Sequence, residues 1–294
     1  MLTCQTQRIS QICFEYLKYC QACNYAKGTI QFYKEKLERF IAYSTTLDVV
    51  NMDQITPDHI RGFVISLQPD HTEGGVHAFY RSLRAFLNWY EFEYEPVDWK
   101  NPIKKVRAPR VPEKLLDPVT NEVVEKLVDA CRDSDYGIRD KAIIMFLLST
   151  GARASEILAL NREDVDINSC AALVRSGKGG YFRFIFFDSD TRKALKKYLK
   201  TRDDNHKALW ISRYQERLNY DGLRGVVTRL AETAGIEAPP LHSFRRAFAV
   251  NLLNAKIPEQ TIIQLMGQHS IAALRPYTKM SKELLQLAYQ SSKD

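Results

Sequence analysis

Apolar side chains recur at the spacing of an α-helix through most of the first 95 residues. Two stripes predict the first helices: Ile9, Ile12, Cys13, Tyr16, Leu17 and Cys20 in one, and Ile30, Tyr33, Leu37, Phe40 and Ile41 in the other. A third helix is predicted over residues 57–67 with Thr56 as its N-cap, and a fourth over residues 74–92. These segments predict a helical first domain over residues 1–95.

In the second half of the chain, helical spacing is interrupted once, by a segment with strand character. Residues 142–148 form an apolar run that predicts a core helix ending near Gly151, and another helix is predicted to begin near Arg153. Residues 171–175 and 181–187 have strand character and flank a glycine-rich turn, which predicts a β-hairpin with Lys178 at its tip. Helix returns from residue 190, with Gly235 and Gly267 as predicted helix ends. The expected fold class is mainly α with a small β-hairpin or sheet in the second domain.

A proline-rich and basic stretch separates the two halves. Residues 96–118 contain five prolines and little periodicity, and proline makes such a segment extended and semi-rigid. We predict a linker over residues 96–118, between a first domain over residues 1–95 and a second domain over residues 119–294. Its cations are candidates for phosphate contacts, with a plainly solvated linker as the alternative: Lys104, Lys105, Arg107 and Arg110.

Composition and charge narrow the class of protein without deciding it. The 294 residues carry 42 basic and 35 acidic side chains, and the formal net charge of +7 leans toward a polyanionic partner. No apolar run is long enough to span a membrane and the first residues do not have the features of a signal peptide. We therefore expect a cytoplasmic protein, associated with the nucleoid if it binds DNA. One face of the predicted fourth helix suits DNA, or else is an ordinary solvated face: His77, Arg81 and Arg84.

The cysteines do not predict a metal site. The six cysteines are expected to be reduced in a cytoplasmic chain. Cys20 and Cys23 form a C-x-x-C pair, but the sequence has no second pair to complete the four ligands that zinc prefers. We therefore expect buried or unreactive thiols on a helix.

Short segments of the second half carry groups that suit phosphate chemistry. Arg153 and Glu156 lie three residues apart, as do His242 and Arg245, so each pair would share one helical face. Arginine forks neutralise phosphate oxygens, and imidazole transfers protons. Tyr277 is the candidate nucleophile, and its phenol needs help because free tyrosine has a pKa of about 10. Each motif by itself is more often a surface ion pair or a structural residue, so the signal lies in their order and spacing.

In that order the motifs closely resemble the tyrosine recombinase (phage integrase) family, in its simple two-domain, Xer-like or mobile-element type. The family shows G-x-R-x-S-E, a hairpin lysine, H-x-x-R, a G-H pair and a tyrosine nine residues after that histidine. The matching residues here are Gly151 to Glu156, Lys178, His242 with Arg245, Gly267 with Gln268, and Tyr277. The resemblance covers the whole chain and implies a helical core DNA-binding domain, a catalytic domain and a C-shaped clamp around DNA.

The chain departs from the family pattern at two positions. Gln268 stands where the family has its second histidine, and His269 follows it directly. Glutamine can donate a hydrogen bond to phosphate but cannot act as an acid or a base, so either Gln268 or His269 fills this role. Pro276 precedes Tyr277 and disfavours helix at the residue before it.

The resemblance implies that Tyr277 attacks the scissile phosphate and forms a 3′-phosphotyrosyl bond. It assigns charge stabilisation to Arg153 and Arg245, proton transfer to His242, protonation of the leaving oxygen to Lys178 and support of Arg153 to Glu156. It also implies no cofactor, a duplex DNA partner with an inverted-repeat core site, a dimer on one site and a tetramer in the synapse. An apolar stripe within residues 281–294 predicts a C-terminal helix that docks on a neighbouring protomer, or else on its own domain. The alternatives are a DNA-relaxing enzyme like the type IB topoisomerases and a DNA-binding protein with a decayed site.

Overall fold

The computed structural model describes residues 7–112, 117–175 and 182–268. Within these ranges the chain is mostly helical, with a small antiparallel sheet, and the expected fold class is confirmed. The chain divides into two compact units, Met1–Lys114 and Leu115–Asp294. Each unit has its own hydrophobic core.

The first unit contains the four helices that the apolar spacing predicts. They are α1 (Ile9–Ala22), α2 (Lys27–Thr45), α3 (Pro57–Ser66) and α4 (Glu73–Tyr94). The Thr56 side chain accepts a hydrogen bond from the His59 amide at the start of α3, which confirms the predicted N-cap. Buried aromatic rings from three helices pack against one another in the core, with Phe40, Phe63 and Phe86 all essentially inaccessible.

Part of the predicted linker, residues 96–118, packs against the core of the first unit. Ile103 and Val106 are buried in the first core, and Asn101 is buried beside them. The Tyr80 hydroxyl donates to the Val106 carbonyl over 2.7 Å, and the Asn101 amide donates to the Leu87 carbonyl over 3.2 Å. Proline content and weak periodicity suggested a free linker, whereas these long-range contacts tie the segment to α4.

The second unit places helices around a short sheet. Its helices are α5 (Asn121–Asp129), α6 (Asp135–Thr150), α7 (Ala154–Ala159), α8 (Ser189–Lys200), α9 (Tyr220–Ala234), α10 (Leu241–Asn254) and α11 (Glu259–Met266). Its strands are β1 (Val165–Asp166), β2 (Ala171–Val174) and β3 (Arg183–Phe186), in the order β1-β2-β3. Strands β2 and β3 pair antiparallel with Leu173 opposite Phe184, which confirms the predicted hairpin. The two-residue strand β1 was not predicted.

Buried charges in the second unit are paired. The Arg202 side chain is 2% exposed and forms an ion pair with Asp204, and its other nitrogens donate to the Tyr198 hydroxyl and to backbone carbonyls. This pairing holds the pKa of Asp204 at about 2, chiefly through the hydrogen bonds from Arg202. Arg202 is therefore an arginine with a structural role, since an unpaired buried charge would be costly.

The described ranges contain neither a membrane-spanning helix nor a metal-binding cluster. No helix there is long and apolar enough to cross a bilayer. No group of three or more histidine, cysteine or acidic residues in these ranges is arranged to hold a metal ion. Cys13 and Cys20 are buried on α1 and Cys23 is exposed, and burial raises the pKa of the Cys13 thiol well above its usual value.

Candidate active site

The site begins where α6 ends. Gly151 follows the last residue of α6 with φ of 56°, a left-handed conformation that glycine adopts without steric cost. A Cβ at this position would overlap the ring of Phe248 on α10. The close approach lets Arg245, also on α10, donate from Nη1 to the Gly151 carbonyl over 2.8 Å. The second arginine of the predicted set is thereby fixed against the loop that carries the first.

Arg153 and Glu156 form the predicted ion pair at the start of α7. Arg153 is the N-cap residue, and its Nη1 donates to Glu156 Oε1 over 2.8 Å. The backbone amide of Arg153 donates to Glu156 Oε2, also over 2.8 Å. The carboxylate is 3% exposed while the Arg153 side chain is 31% exposed. The Glu156 carboxylate is therefore buried, whereas the Arg153 guanidinium reaches solvent.

A third arginine, which the sequence motifs did not single out, enters the site from β3. Arg183 Nη2 donates to Glu156 Oε2 over 2.6 Å, so one buried carboxylate binds two guanidinium groups. Arg183 and Ile185 lie on the same face of β3, and Ile185 is buried, as is Phe187 just beyond the strand. Phe184 and Phe186, on the opposite face, are exposed. The sequence signal that could have identified Arg183 is a single charged residue on the buried face of an otherwise apolar strand.

The C-terminal end of α11 collects these arginines. In the described part of the chain, three guanidinium groups donate to three successive carbonyls: Arg183 to Leu265 over 2.9 Å, Arg245 to Met266 over 2.8 Å and Arg153 to Gly267 over 3.4 Å. The last carbonyls of a helix have no partner within it and carry the negative end of the helix dipole. Cations therefore stabilise this end, and they fix the position of the residue that follows.

That residue is Gln268, at the position of the departure from the family pattern. Gly267 ends α11 with φ of 60°, as predicted, and the Gln268 amide donates to the Ile263 carbonyl over 3.0 Å. Gln268 Oε1 is buried and has no hydrogen-bond partner among the described residues. Gln268 thus directly follows the helix end that the arginines bind, and its side-chain oxygen is a buried acceptor without a partner among the described residues.

Burial and charge set the protonation states. Burial by itself would raise the pKa of Glu156, but the hydrogen bond from the Arg153 amide and the charges of Arg183 and Arg153 outweigh it and hold that pKa below its usual value. Burial, together with the charges of Arg246, Arg245 and Arg153, lowers the pKa of His242. The lowered pKa favours the neutral form of the His242 imidazole, which can accept a proton.

The structure brings Arg153, Glu156, His242, Arg245 and Gln268 into one site. Three other predicted site residues, Lys178, His269 and Tyr277, lie outside the described residues. The remaining candidates, proposed for DNA binding, belong to the first unit: His77, Arg81, Arg84, Lys104, Lys105, Arg107 and Arg110.

The DNA-binding candidates differ in how they are paired. Arg81, Arg84, Lys105, Arg107 and Arg110 are exposed, and His77 is half-buried against the ring of Tyr80. Lys104 instead forms an ion pair with Glu91 over 2.6 Å, which lowers the pKa of that carboxyl. Lys104 is therefore already partly neutralised within the protein.

The chemistry available at the site is that of anion binding with proton transfer. Two guanidinium groups bind the Glu156 carboxylate and a third, from Arg245, binds the Met266 carbonyl. These described residues together carry a net positive charge near His242 and Gln268. Fixed donors in a partly buried site stabilise negative charge that develops on an oxyanion more strongly than water does. The arrangement fits a phosphodiester whose non-bridging oxygens face Arg153.

Comparison with known proteins agrees with this geometry. The sequence profile of the phage integrase family matches residues 118–283, and that of the phage integrase N-terminal SAM-like domain matches residues 14–90. Tyrosine recombinase XerA of Pyrococcus horikoshii is 26% identical over 289 residues, covering 97% of this chain and 94% of the relative. Tyrosine recombinase XerC of Bacillus subtilis is 26% identical over 282 residues, covering 91% of each chain.

Solved structures share the fold. The XerH site-specific recombinase bound to palindromic difH substrate, in a post-cleavage complex, has a TM-score of 0.74 at 20% identity, covering 97% of this chain and 85% of that one. A lambda integrase (75–356) dimer bound to a COC′ core site has a TM-score of 0.74 at 16% identity, covering 90% of this chain and 96% of that one.

Proposed function

This chain belongs to the phage integrase family, and from that premise we propose that it is a site-specific DNA recombinase that cleaves and rejoins DNA through Tyr277. The observation that carries the proposal is the convergence of Arg153, Arg245 and Gln268 at the end of α11, near His242, whose lowered pKa favours its neutral form. These are the groups that a phosphoryl transfer without a metal requires: cations for the non-bridging oxygens and a base for the attacking hydroxyl.

The proposed first step is transfer of a phosphoryl group from DNA to tyrosine. The Tyr277 oxygen attacks phosphorus while the phosphorus bond to the 5′ oxygen breaks, which leaves a 3′-phosphotyrosyl bond. His242 takes the phenol proton, and Lys178 donates a proton to the leaving 5′ oxygen. Arg153 and Arg245 stabilise the charge that gathers on the non-bridging oxygens. A 5′ hydroxyl from a second duplex then reverses the chemistry, so the phosphotyrosyl bond retains the energy needed for rejoining.

Glutamine at position 268 fits the part of a phosphate ligand. Gln268 directly follows the helix end that the arginines bind, and its side-chain NH2 group can donate to a phosphate oxygen, whereas His269 lies outside the described residues. If Gln268 donates to a non-bridging oxygen, Gln268→Ala slows cleavage about ten- to a hundred-fold, because one contact to a charged group is lost. His269→Ala then slows cleavage less, and the reverse ordering would assign the position to His269.

The proposed partner is duplex DNA with an inverted-repeat core site, bound by a dimer of this chain. Two such dimers would form the tetrameric synapse, joined through residues 281–294, and the protein would act on the nucleoid in the cytoplasm. The lambda integrase structure, a dimer bound to a core site, supports the dimer. Removal of residues 281–294 should abolish cooperative occupancy of a paired site while binding by single protomers persists. Unchanged cooperativity would contradict this part of the proposal.

A covalent trapping experiment tests the central claim. Duplexes bound by the purified protein are selected from a random pool, and the selected site is nicked next to the scissile phosphate so that religation fails. The wild-type protein should form a covalent adduct, and Tyr277→Phe should bind the same DNA without one. Tyr220→Phe, which changes an exposed tyrosine on α9, is the matched control and should cleave normally. An adduct in Tyr277→Phe would refute the assignment.

The same reagents separate the alternatives. A relaxing enzyme would relax supercoiled plasmid without exchanging strands between two labelled duplexes, whereas a recombinase exchanges them. A decayed site would bind the selected DNA and give no adduct with wild-type protein.

A further inference from the structure

We propose that Arg183 is a positioning residue for strand cleavage, which ties the Arg153–Glu156 ion pair to the end of α11 and so fixes Gln268 at the phosphate. This inference rests on the proposed function, since the reaction that it serves is the cleavage described above. Arg183 contacts Glu156 on one side and the Leu265 carbonyl on the other.

The geometry of the contacts requires a guanidinium. Nη2 donates to Glu156 Oε2 over 2.6 Å and Nη1 donates to the Leu265 carbonyl over 2.9 Å, so one planar fork bridges two elements. A lysine ammonium is a single point of charge at the end of a flexible stem and cannot hold both acceptors in the same fixed geometry. Because Leu265 lies three residues before Gln268, the fork fixes the helix end from which that side chain projects.

Packing at Gly267 makes the position of Arg183 strict. A Cβ on Gly267 would overlap Nε and Cδ of Arg183, so the backbone of the α11 end lies directly against the guanidinium. Arg183 is 13% exposed at its side chain, and its Nε is buried without a hydrogen-bond partner among the described residues. Strand β3 therefore places the Arg183 guanidinium directly against the turn that carries Gln268, and this contact restricts movement of the turn.

The sharing of the Glu156 carboxylate explains how Arg183 also supports Arg153. Glu156 uses Oε1 for the Arg153 side chain, and Arg183 takes Oε2 together with the Arg153 amide. Arg183 is thus neutralised by the carboxylate and a helix-end carbonyl, while Arg153 bonds the carboxylate through one terminal nitrogen and is 31% exposed. With the contacts divided in this way, Arg153 is available to bind the phosphate, and Arg183 holds Glu156 and the end of α11 in position.

Single-turnover cleavage of the nicked site by the full chain tests the role. Arg183→Met should leave the dissociation constant for the uncleaved site within about twofold and slow cleavage about ten- to a hundred-fold, since small misplacements of reacting groups are costly. Arg183→Lys should recover part of the rate, and it keeps the test open if the methionine variant does not fold. Arg202→Met is the matched control: it removes another buried, paired arginine of the same unit, and its folded fraction should cleave at the wild-type rate.

Two further readouts separate positioning from direct phosphate contact and from a general loss of structure. Arg183→Lys and Arg183→Met should leave the slope of log affinity against log salt unchanged, whereas loss of a phosphate contact flattens it by about 0.9. When an Arg183 variant is combined with Gln268→Ala, the loss in cleavage rate should be smaller than the product of the two single losses. Both changes affect the same contact, that of Gln268 with the phosphate.

Clear outcomes would overturn the inference. Wild-type cleavage rates in both Arg183 variants would show that the bridge does not matter, and a flattened salt slope would make Arg183 a phosphate ligand instead. Fully multiplicative losses with Gln268→Ala would show that Arg183 does not act through that residue. If the wild-type protein forms no adduct, the proposed function has failed before Arg183 is tested.

Discussion

The buried carboxylate of Glu156 offers the sharpest test of how the site is held together. Glu156→Gln preserves the size of the side chain and removes its charge. In the native protein this carboxylate accepts bonds from the Arg153 guanidinium, the Arg153 amide and the Arg183 guanidinium over 2.8, 2.8 and 2.6 Å. The carboxamide keeps one acceptor oxygen, and its NH2 group faces donors that it cannot satisfy.

The expected loss follows from these contacts. A hydrogen bond to a charged group contributes about 1.5–3 kcal/mol, and the substitution weakens three of them, two of which come from guanidinium groups. Arg153 is nearly a third exposed, so water compensates for part of its loss, whereas Arg183 is mostly buried and is left with an uncompensated charge. We therefore expect the free energy of unfolding of the second unit to fall by about 3 kcal/mol.

Tryptophan fluorescence can report on this unit alone. The chain has three tryptophans, and Trp210 is fully buried in the second core while Trp89 and Trp99 belong to the first unit. In a background of Trp89→Phe and Trp99→Phe, urea unfolding followed at Trp210 compares Glu156→Gln with the parent. Glu163→Gln is the matched control, because its carboxylate is exposed and pairs with Arg175 only over 3.8 Å, and such pairs contribute little.

The pH dependence has a definite sign. The pKa of Glu156 is lowered in the folded protein, so its stabilisation is fully present above the unfolded pKa of about 4.3 and is lost as pH falls through the folded value. The stability difference between the parent and Glu156→Gln should therefore be constant near neutral pH and shrink only in acid. A loss no larger than that of Glu163→Gln, or a difference that persists unchanged in acid, would refute this account.

Three further predictions concern the end of α11, the imidazole and the basic first unit. Gly267→Ala should cost about 1–2 kcal/mol from its left-handed backbone alone and more from overlap with the adjacent guanidinium, measured by unfolding at the buried tryptophan of the second unit. Arg246→Gln should raise the pKa of His242 in an NMR titration of the ring, because one of the charges that lower it is removed. Arg107→Gln should flatten the salt slope of DNA binding by about 0.9, and Lys104→Gln by less, because Lys104 is already paired with a glutamate.

Each of these three predictions has an experimental outcome that would contradict it. A fully stable Gly267→Ala would mean that the turn relaxes away from the guanidinium. An unchanged pKa of His242 would mean that the charge of Arg246 does not lower it, and Arg229→Gln, which removes an arginine paired with Asp140, should leave that pKa unchanged as a control. Equal slopes for the Arg107 and Lys104 variants would show that the ion pair of Lys104 opens on DNA.

The helices of the first unit were accessible to sequence reasoning because their signals are local. Apolar residues at helical spacing, and a threonine before a proline, act within one or two turns of the chain, and α3 begins where they predict. The hairpin had a similar signal in its glycine-rich turn. Local signals did not reveal that Val106 packs into the first core, because burial of that residue depends on Tyr80 and on a core assembled from distant segments.

Motif order and helical spacing in the chain predicted the family, the order of the helices and four residues that the structure brings together, Arg153, Glu156, His242 and Arg245. Motifs with fixed spacing put Arg153 beside Glu156 and placed left-handed glycines at the ends of α6 and α11. Long-range folding was needed to bring Arg183 to the same carboxylate, and to bring arginines from separate elements to the carbonyls at the end of α11. Helix periodicity and capping act between near neighbours in the chain, whereas a buried charge takes whichever partner folding brings within about 3 Å.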